Sequence, residues 1–149
     1  MIQRIQSIYL LLGGGILASL FASFMDFGKM KGNEAVPGSK ELSDGVLNLA
    51  DSDVTMIGVF AALTLFLVAI FLYKNRLMQT RVVAVAMLCT LLVFAVAAWL
   101  YYTNSQVQGE KLEPGLGMAS PVFAIFFGWL ANKSIRKDDA LVKSMDRLR

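Results

Sequence analysis

The stretch Val54–Tyr73, with the sequence VTMIGVFAALTLFLVAIFLY, decides the fold. It runs for 20 residues without a charged side chain, and about 20 apolar residues in a helix are needed to cross the hydrocarbon core of a bilayer. Eleven residues between Ile57 and Leu72 are Ile, Leu, Val or Phe, each of which favours insertion. The stretch therefore predicts a membrane-spanning helix.

Three further charge-free stretches share this character. They run from Gln6 to Met25, from Val82 to Asn104 and from Pro114 to Asn132. The whole chain of 149 residues is 56% hydrophobic and only 17% charged, and its mean hydropathy is +0.60, which is unlike an ordinary soluble domain. We predict a single all-α membrane domain with helices at 4–25, 54–74, 81–104 and 115–132, an outer loop at 26–53 and a helical tail at 133–149. Short connections favour an up-down-up-down four-helix bundle.

Basic residues are divided unequally between the two ends of these spans. Ten lie at the end that holds both termini: Arg4, Lys74, Arg76, Arg81, Lys133, Arg136, Lys137, Lys143, Arg147 and Arg149. Four lie at the other end: Lys29, Lys31, Lys40 and Lys111. The positive-inside rule therefore predicts that both termini are cytoplasmic.

Two segments allow a second interpretation. Residues 1–23 resemble a signal peptide in having Arg4 ahead of an apolar run, but the run is long and three more spans follow, which favours a retained helix. In the fourth span, Ser120 and Pro121 form either a helix start or a kink. We favour the kink, because a helix that starts at Pro121 has only 11 residues, 121–131, before Asn132.

Small and aromatic residues indicate how the helices are packed and anchored. Two ladders of small residues on the first helix and one on the fourth predict close helix contacts, within the chain or with another subunit. The packing residues are Gly14, Ala18 and Ala22, then Gly15, Ser19 and Ser23, and on the fourth helix Ala124 and Gly128 with Ser120 and Asn132. Aromatic residues predicted to lie at the membrane interfaces are Tyr73, Trp99, Tyr101, Tyr102 and Trp129.

The two ends of the chain carry a resemblance. The opening MIQRIQSIYLLL (Met1–Leu12) and the ending SIRKDDALVKSMDRLR (Ser134–Arg149) resemble a family of small four-span membrane proteins of the Bacteroidetes type that is described as a domain of unknown function. The resemblance implies an integral protein of the bacterial inner membrane with four helices. It implies no activity, ligand or catalytic residue.

Residues suited to catalysis are few. The chain has no histidine and one cysteine, Cys89, which removes the commonest general base and internal disulfide exchange. No carboxylate lies within a span, which argues against proton-coupled transport. The acidic residues of the outer loop do not have the spacing of a calcium loop, and we expect Ser52 or Asp53 to cap the second helix instead. We therefore predict no enzyme activity, no cofactor, no metal and, with a net charge of only +3, no nucleic-acid partner.

The tail carries an apolar stripe. Leu141, Val142, Met145 and Leu148 share one face, edged by basic residues that include Arg147. The stripe is compatible with a solvated helix, a helix lying on anionic lipid headgroups, or one docked on a partner or on the N-terminal segment.

The most consistent function is a non-enzymatic membrane accessory or assembly protein that acts through its tail and outer loop. The alternative is a small carrier or channel for a neutral or lipid-like solute. Besides the bilayer, we expect a membrane or cytoplasmic protein as partner; spacing alone leaves the oligomeric state open.

Overall fold

The computed structural model of the chain describes residues 2–22, 25–32, 40–108 and 112–146. Within them, four helices form most of the molecule: α1 (Ile2–Ser19), α2 (Asp53–Phe71), α3 (Arg76–Gln108) and α4 (Ser120–Asp146). Three short strands lie in the connections: β1 (Gly28–Met30), β2 (Val46–Leu47) and β3 (Leu112–Pro114). The predicted predominantly helical class is confirmed, with a small sheet added to it.

Two of the described helical segments are long and apolar enough to cross a membrane. One is Asp53–Lys74, formed by α2 and the 3₁₀ turn after it, and the other is Arg76–Gln106 of α3. A shorter apolar helix covers Ile5–Ser19. Helix α4 is not apolar enough over such a length, because three charged residues, Lys133, Arg136 and Lys137, fall within its first 18 residues. Apolar character is therefore concentrated in α2 and α3.

Each helix packs against two others, since α1 and α3 both contact α2 and α4. Successive helices run antiparallel: Gly58 of α2 faces Val93 of α3, whereas Ala69, later in α2, accepts a hydrogen bond from Gln79, earlier in α3. A methyl group at Gly58 would come within 2.6 Å of Val93 Cγ2, so glycine permits this contact. The interior is filled by buried apolar side chains: Leu10, Leu17, Val59, Ala62, Phe66, Ala69, Val83, Ala86, Val93, Ala97, Ala124, Ala131 and Ile135.

The ends of the first three helices differ from the predicted bounds for local reasons. Helix α1 ends at Ser19 rather than at residue 25, because the N–H groups of residues 20–22 donate to carbonyls three residues back and tighten the chain into turns. Helix α2 begins after Ser52, whose hydroxyl accepts from the Thr55 N–H at 3.5 Å, as the capping prediction requires. Helix α3 extends beyond 81–104 on both sides, since no Gly or Pro interrupts residues 76–108.

Helix α4 begins at Ser120, so Pro121 lies in its first turn and the predicted kink is wrong. A 3₁₀ turn, Leu116–Ala119, leads into the helix. Proline is favourable in the first turn of a helix, where its missing N–H would have no helical partner. The helix gains its length at the other end instead, because it continues without interruption to Asp146. The predicted tail is thus, as far as residue 146, part of the fourth helix.

The two connections at one end of the helices are joined by the antiparallel sheet, in the order β2-β1-β3. Lys29 of β1 lies opposite Val46 of β2 and Glu113 of β3. Beyond β3, the Gly117 N–H donates to the Asp26 carbonyl at 2.8 Å. The predicted outer loop therefore holds two strands and a 3₁₀ turn (Leu49–Asp51). Strands of two or three residues show no alternation in sequence, so their pairing with the α3–α4 connection is not predictable from local pattern.

Candidate functional site

A groove lies at the opposite end of the helices, where α2 turns into α3 and α4 passes alongside. It has two adjoining parts with volumes of about 720 and 320 Å³, and both are lined by Arg76, Leu77 and Asp139. We call it the basic groove, and its lining residues are Tyr73, Lys74, Asn75, Arg76, Leu77, Thr80, Arg81, Arg136, Asp139 and Val142. Both volumes are typical of small-molecule sites.

The groove is strongly cationic, because four basic side chains and one carboxylate line it. Arg76 is held in place: its Nη1 donates to the Asp138 carbonyl oxygen at 3.0 Å, which ties the start of α3 to α4. Arg81 and Arg136 are exposed on facing helices. Guanidinium groups recognise carboxylates and phosphates through paired hydrogen bonds. The arrangement therefore suits an anionic group.

Buried polar side chains lie behind the groove. Asp138 is only 8% exposed, and its Oδ2 accepts a hydrogen bond from Gln6 Nε2 of α1. Gln79 Nε2 donates to the Ala69 carbonyl oxygen at 2.9 Å. Within the described part of the chain, Gln79 Oε1, Asn132 Oδ1 and Asp138 Oδ1 are buried without a hydrogen-bond partner. A buried polar oxygen without a partner is unfavourable, so these groups mark this end of the helices as unusually polar inside.

Sequence analysis did not single out Asp138, which is buried. The signal was present in the spacing, because Ala124, Gly128, Ala131, Ile135 and Asp138 follow one another at three or four residues and are all buried. The buried face of α4 thus continues past Asn132, and α1 rather than solvent receives Asp138. The contact between α4 and the N-terminal helix at this point is made by Asp138 and not by the predicted stripe.

The predicted tail residues are only partly covered by the structure. Val142 lines the basic groove, and Leu141 is 45% exposed next to it. The side chain of Met145 lies outside the described residues, as do Arg147 and Leu148. The described part of the stripe thus lies at the edge of the groove.

The predicted packing residues divide between the interior and the surface. Gly14 packs against Leu63 and Phe66 of α2, while Ala124 and Gly128 are buried in α4. Gly15 and Ala18 are exposed, because the buried face of α1 follows Leu10, Gly13, Gly14 and Leu17. Ser19 donates to its own helix at the Ile16 carbonyl, Ala22 is half-buried in the following turn, and Ser23 lies outside the described residues.

Four of the five predicted interface aromatics are exposed: Tyr73, Trp99, Tyr102 and Trp129. Trp129 stacks on Phe126 with 6.4 Å between ring centroids, and the Lys133 ammonium lies 5.2 Å from the Trp129 centroid. Tyr101 differs, because its hydroxyl donates to the Leu112 carbonyl oxygen at 3.3 Å. Tyr101 therefore braces the sheet against α3.

Acidic residues lie near the sheet, at the end remote from the groove. Asp26 is fully buried, and its Oδ2 lies 2.7 Å from the half-exposed Lys29 ammonium. Burial raises the pKa of Asp51 above its ordinary value of 3.8, and the charges of Asp44 and Glu41 act in the same direction, whereas a hydrogen bond from the Asn48 N–H lowers it. Among the described residues, no three His, Cys, Asp or Glu side chains are grouped to hold a metal ion.

The fold and the groove together define a mostly helical protein with two membrane-capable helices and a cationic recess at one end. The chain belongs to the family described as Domain of unknown function (DUF4293), whose profile matches residues 2–148. This match agrees with the resemblance at the two ends of the sequence and names no activity. No curated protein and no solved structure matches the chain.

Proposed function

We propose that the chain is an integral membrane protein whose four helices cross the bilayer in up-down-up-down order, with both termini cytoplasmic. Antiparallel packing of each helix against two others supports this arrangement. Helix α1 has 18 residues, or about 27 Å of helix, close to the thickness of the hydrocarbon core. Large apolar side chains such as Phe60, Leu88 and Leu92 are exposed on the outside of the helices, where lipid would cover them.

Orientation is tested with single cysteines in a Cys89→Ser background. Lys31 at the sheet and Lys137 on α4 are both exposed, so neither substitution disturbs packing. We expect Lys31→Cys to react with an impermeant maleimide in intact cells, and Lys137→Cys to react only after the membrane is permeabilised. The reverse pattern would overturn the proposed orientation, and equal labelling of both sites in intact cells would overturn membrane spanning.

We further propose that the protein acts as a non-enzymatic accessory or assembly subunit of the bacterial inner membrane. The observation that carries this proposal is the uninterrupted extension of α4 to Asp146, which holds Leu141 exposed beside the groove. A carrier, the alternative, needs a path between the helices. At mid-height that space is filled by Leu10, Phe66 and Ala124, which favours an accessory role.

A photoreactive amino acid placed at Leu141 tests this role in the native membrane. Phe123, exposed on the same helix near the sheet, supplies the matched control. We expect a discrete protein adduct from position 141 and only lipid adducts from position 123. Leu141→Glu should abolish partner association while leaving the thermal unfolding midpoint unchanged. Protein adducts of the same size from both positions, or from neither, would contradict a partner docked at the tail.

A further inference from the structure

The basic groove combines two surfaces of different chemistry. Arg76, Arg81 and Arg136 line its smaller part, while Tyr73, Leu77 and Val142 supply apolar surface along it. Leu77 is 64% exposed, so its side chain is accessible beside the cations. A ligand that matches both surfaces carries an anionic group next to a hydrocarbon portion.

The position of the groove agrees with that chemistry. It begins at Tyr73 and Lys74, where the apolar run of α2 ends and the charged start of α3 follows. In the proposed membrane arrangement this is the level of the cytoplasmic headgroups, where tyrosine side chains are enriched. Basic pockets between helices at this level are suited to anionic lipid headgroups.

The cations of the groove are arranged for a phosphate group. The Arg76 guanidinium is fixed by its hydrogen bond to the Asp138 carbonyl oxygen at 3.0 Å. Preorganisation of this kind lowers the entropy cost of binding. The Asp139 carboxylate lines both parts of the groove as well, so a bound phosphate would lie among four basic side chains and one acidic one.

We propose that the basic groove binds the phosphate of an anionic phospholipid headgroup. Arg81 and Arg136 contact the phosphate from facing helices, Arg76 supports it, and the acyl chains follow the exposed apolar surface of α3 and α4, which includes Leu88 and Trp129. A free phosphate would satisfy the cations but would leave the apolar rim unused, which favours a lipid. The inference rests on the proposed membrane insertion and adds a ligand to it.

The test uses the full chain in phosphatidylcholine bilayers, with spin-labelled phosphatidylglycerol and spin-labelled phosphatidylcholine as probes. The fraction of each probe immobilised by the protein gives the association constant of the anionic lipid relative to the neutral one. Each basic side chain near a membrane surface contributes about a fivefold preference for anionic lipid. We expect a clear preference in the unmodified chain and at least an approximately fivefold loss in the Arg81→Gln, Arg136→Gln double variant.

Matched variants separate a site from general surface charge. Lys133→Gln with Lys137→Gln removes two charges from exposed positions of α4 that do not line the groove, and it should lower the preference clearly less than the Arg81→Gln, Arg136→Gln variant does. Arg81→Lys with Arg136→Lys should retain most of it. Lys74→Gln changes an exposed residue of the groove and should lower the preference for anionic lipid. It tests the same site if the double variant fails to fold. Equal losses in the groove and control variants would overturn the proposal.

Two further outcomes are decisive. Absence of a preference in the unmodified chain would overturn the lipid site, whereas immobilised phosphatidylcholine in the same sample would show that membrane insertion itself stands. Replacing chloride by inorganic phosphate at constant ionic strength should leave the preference unchanged. If the preference for anionic lipid were lost in phosphate but kept in chloride, the groove would bind a soluble phosphate and the lipid assignment would be overturned.

Discussion

The two ends of the helices satisfy their polar groups in different ways. At the sheet end, defined by β1–β3 and the turns beside them, backbone hydrogen bonds join the α1–α2 and α3–α4 connections into one layer. At the groove end, defined by the basic groove and the buried polar residues behind it, side chains from distant parts of the chain meet. Gln6 and Asp138 are 132 residues apart in sequence and share a hydrogen bond.

This difference has a consequence for function. Backbone pairing closes the sheet end, since each extended segment finds its partner in a neighbouring strand. At the groove end three buried side-chain oxygens lack a hydrogen-bond partner among the described residues, and the cationic recess lies beside them. The sheet end also has buried oxygens of this kind, on Asp26, but the Lys29 ammonium lies 2.7 Å from one of them. A buried polar group without a partner calls for an explanation, and a bound ligand or partner is one. We therefore expect substitutions at the sheet end to affect stability and those in the groove to affect binding.

The largest effect is expected from Gly117→Ala at the sheet end. A Cβ at this position would lie 2.7 Å from the backbone oxygens of Met25 and Asp26, so the backbone itself must move. Such overpacking costs about 3 kcal/mol of unfolding free energy. Denaturant unfolding in a mild detergent measures the loss, and hydrogen exchange should show it confined to residues 25–32, 40–51 and 112–119.

Gly15→Ala is the control for this prediction, because among the described residues no atom outside its own stretch of helix lies within 4 Å of the position where its Cβ would be. It should not lower the unfolding free energy and should raise it by about 1 kcal/mol, because Ala favours a helix over Gly. If Gly117→Ala also raised exchange at Gln79 and Asp138, the two ends would form one cooperative unit and the comparison between them would fail.

A smaller effect is expected from Gln6→Leu at the groove end. The substitution removes the hydrogen bond to the buried Asp138 carboxylate, which should cost about 2 kcal/mol because the carboxylate remains buried without that donor. The same replacement at Gln106, which is exposed near the end of α3, is the control and should be neutral. Unfolding free energies of both variants in detergent provide the measurement, and equal effects would show that Asp138 does not depend on Gln6.

The smallest effect is expected from pH acting on Asp51. Because its folded pKa is raised above 3.8, the folded state binds a proton more readily than the unfolded state. The stability from this group is therefore fully present below pH 3.8 and is lost as the pH rises through the raised value. Asp51→Asn should remove this dependence and slightly stabilise the protein at neutral pH, as followed by unfolding midpoints across pH. If the unfolding midpoint of the variant depended more steeply on pH than that of the unmodified chain, the expected direction of the effect would be contradicted.

Local pattern predicted the helices better than their ends. The charge-free runs located α2 and α3, and Ser52, one of the two expected caps, caps α2, because apolar length and capping residues act over one helix or one helical turn. The kink at Pro121 was wrong, since the choice between kink and helix start depends on how far α4 continues beyond Asn132. Likewise, Gly15 and Gly14 are equivalent in spacing, and only the position of α2 makes one buried and the other exposed.

By itself, the sequence determined the helical class, the apolar character of α2 and α3 and the unequal division of basic residues, because each depends on composition along a continuous segment. Only the tertiary structure decided that β3 pairs with β1, that Asp138 is buried against α1, and that Arg81 and Arg136 line one groove. Those features join residues that are far apart in the chain. The interactions between these residues depend on how the helices face one another, and no local sequence pattern encodes that arrangement.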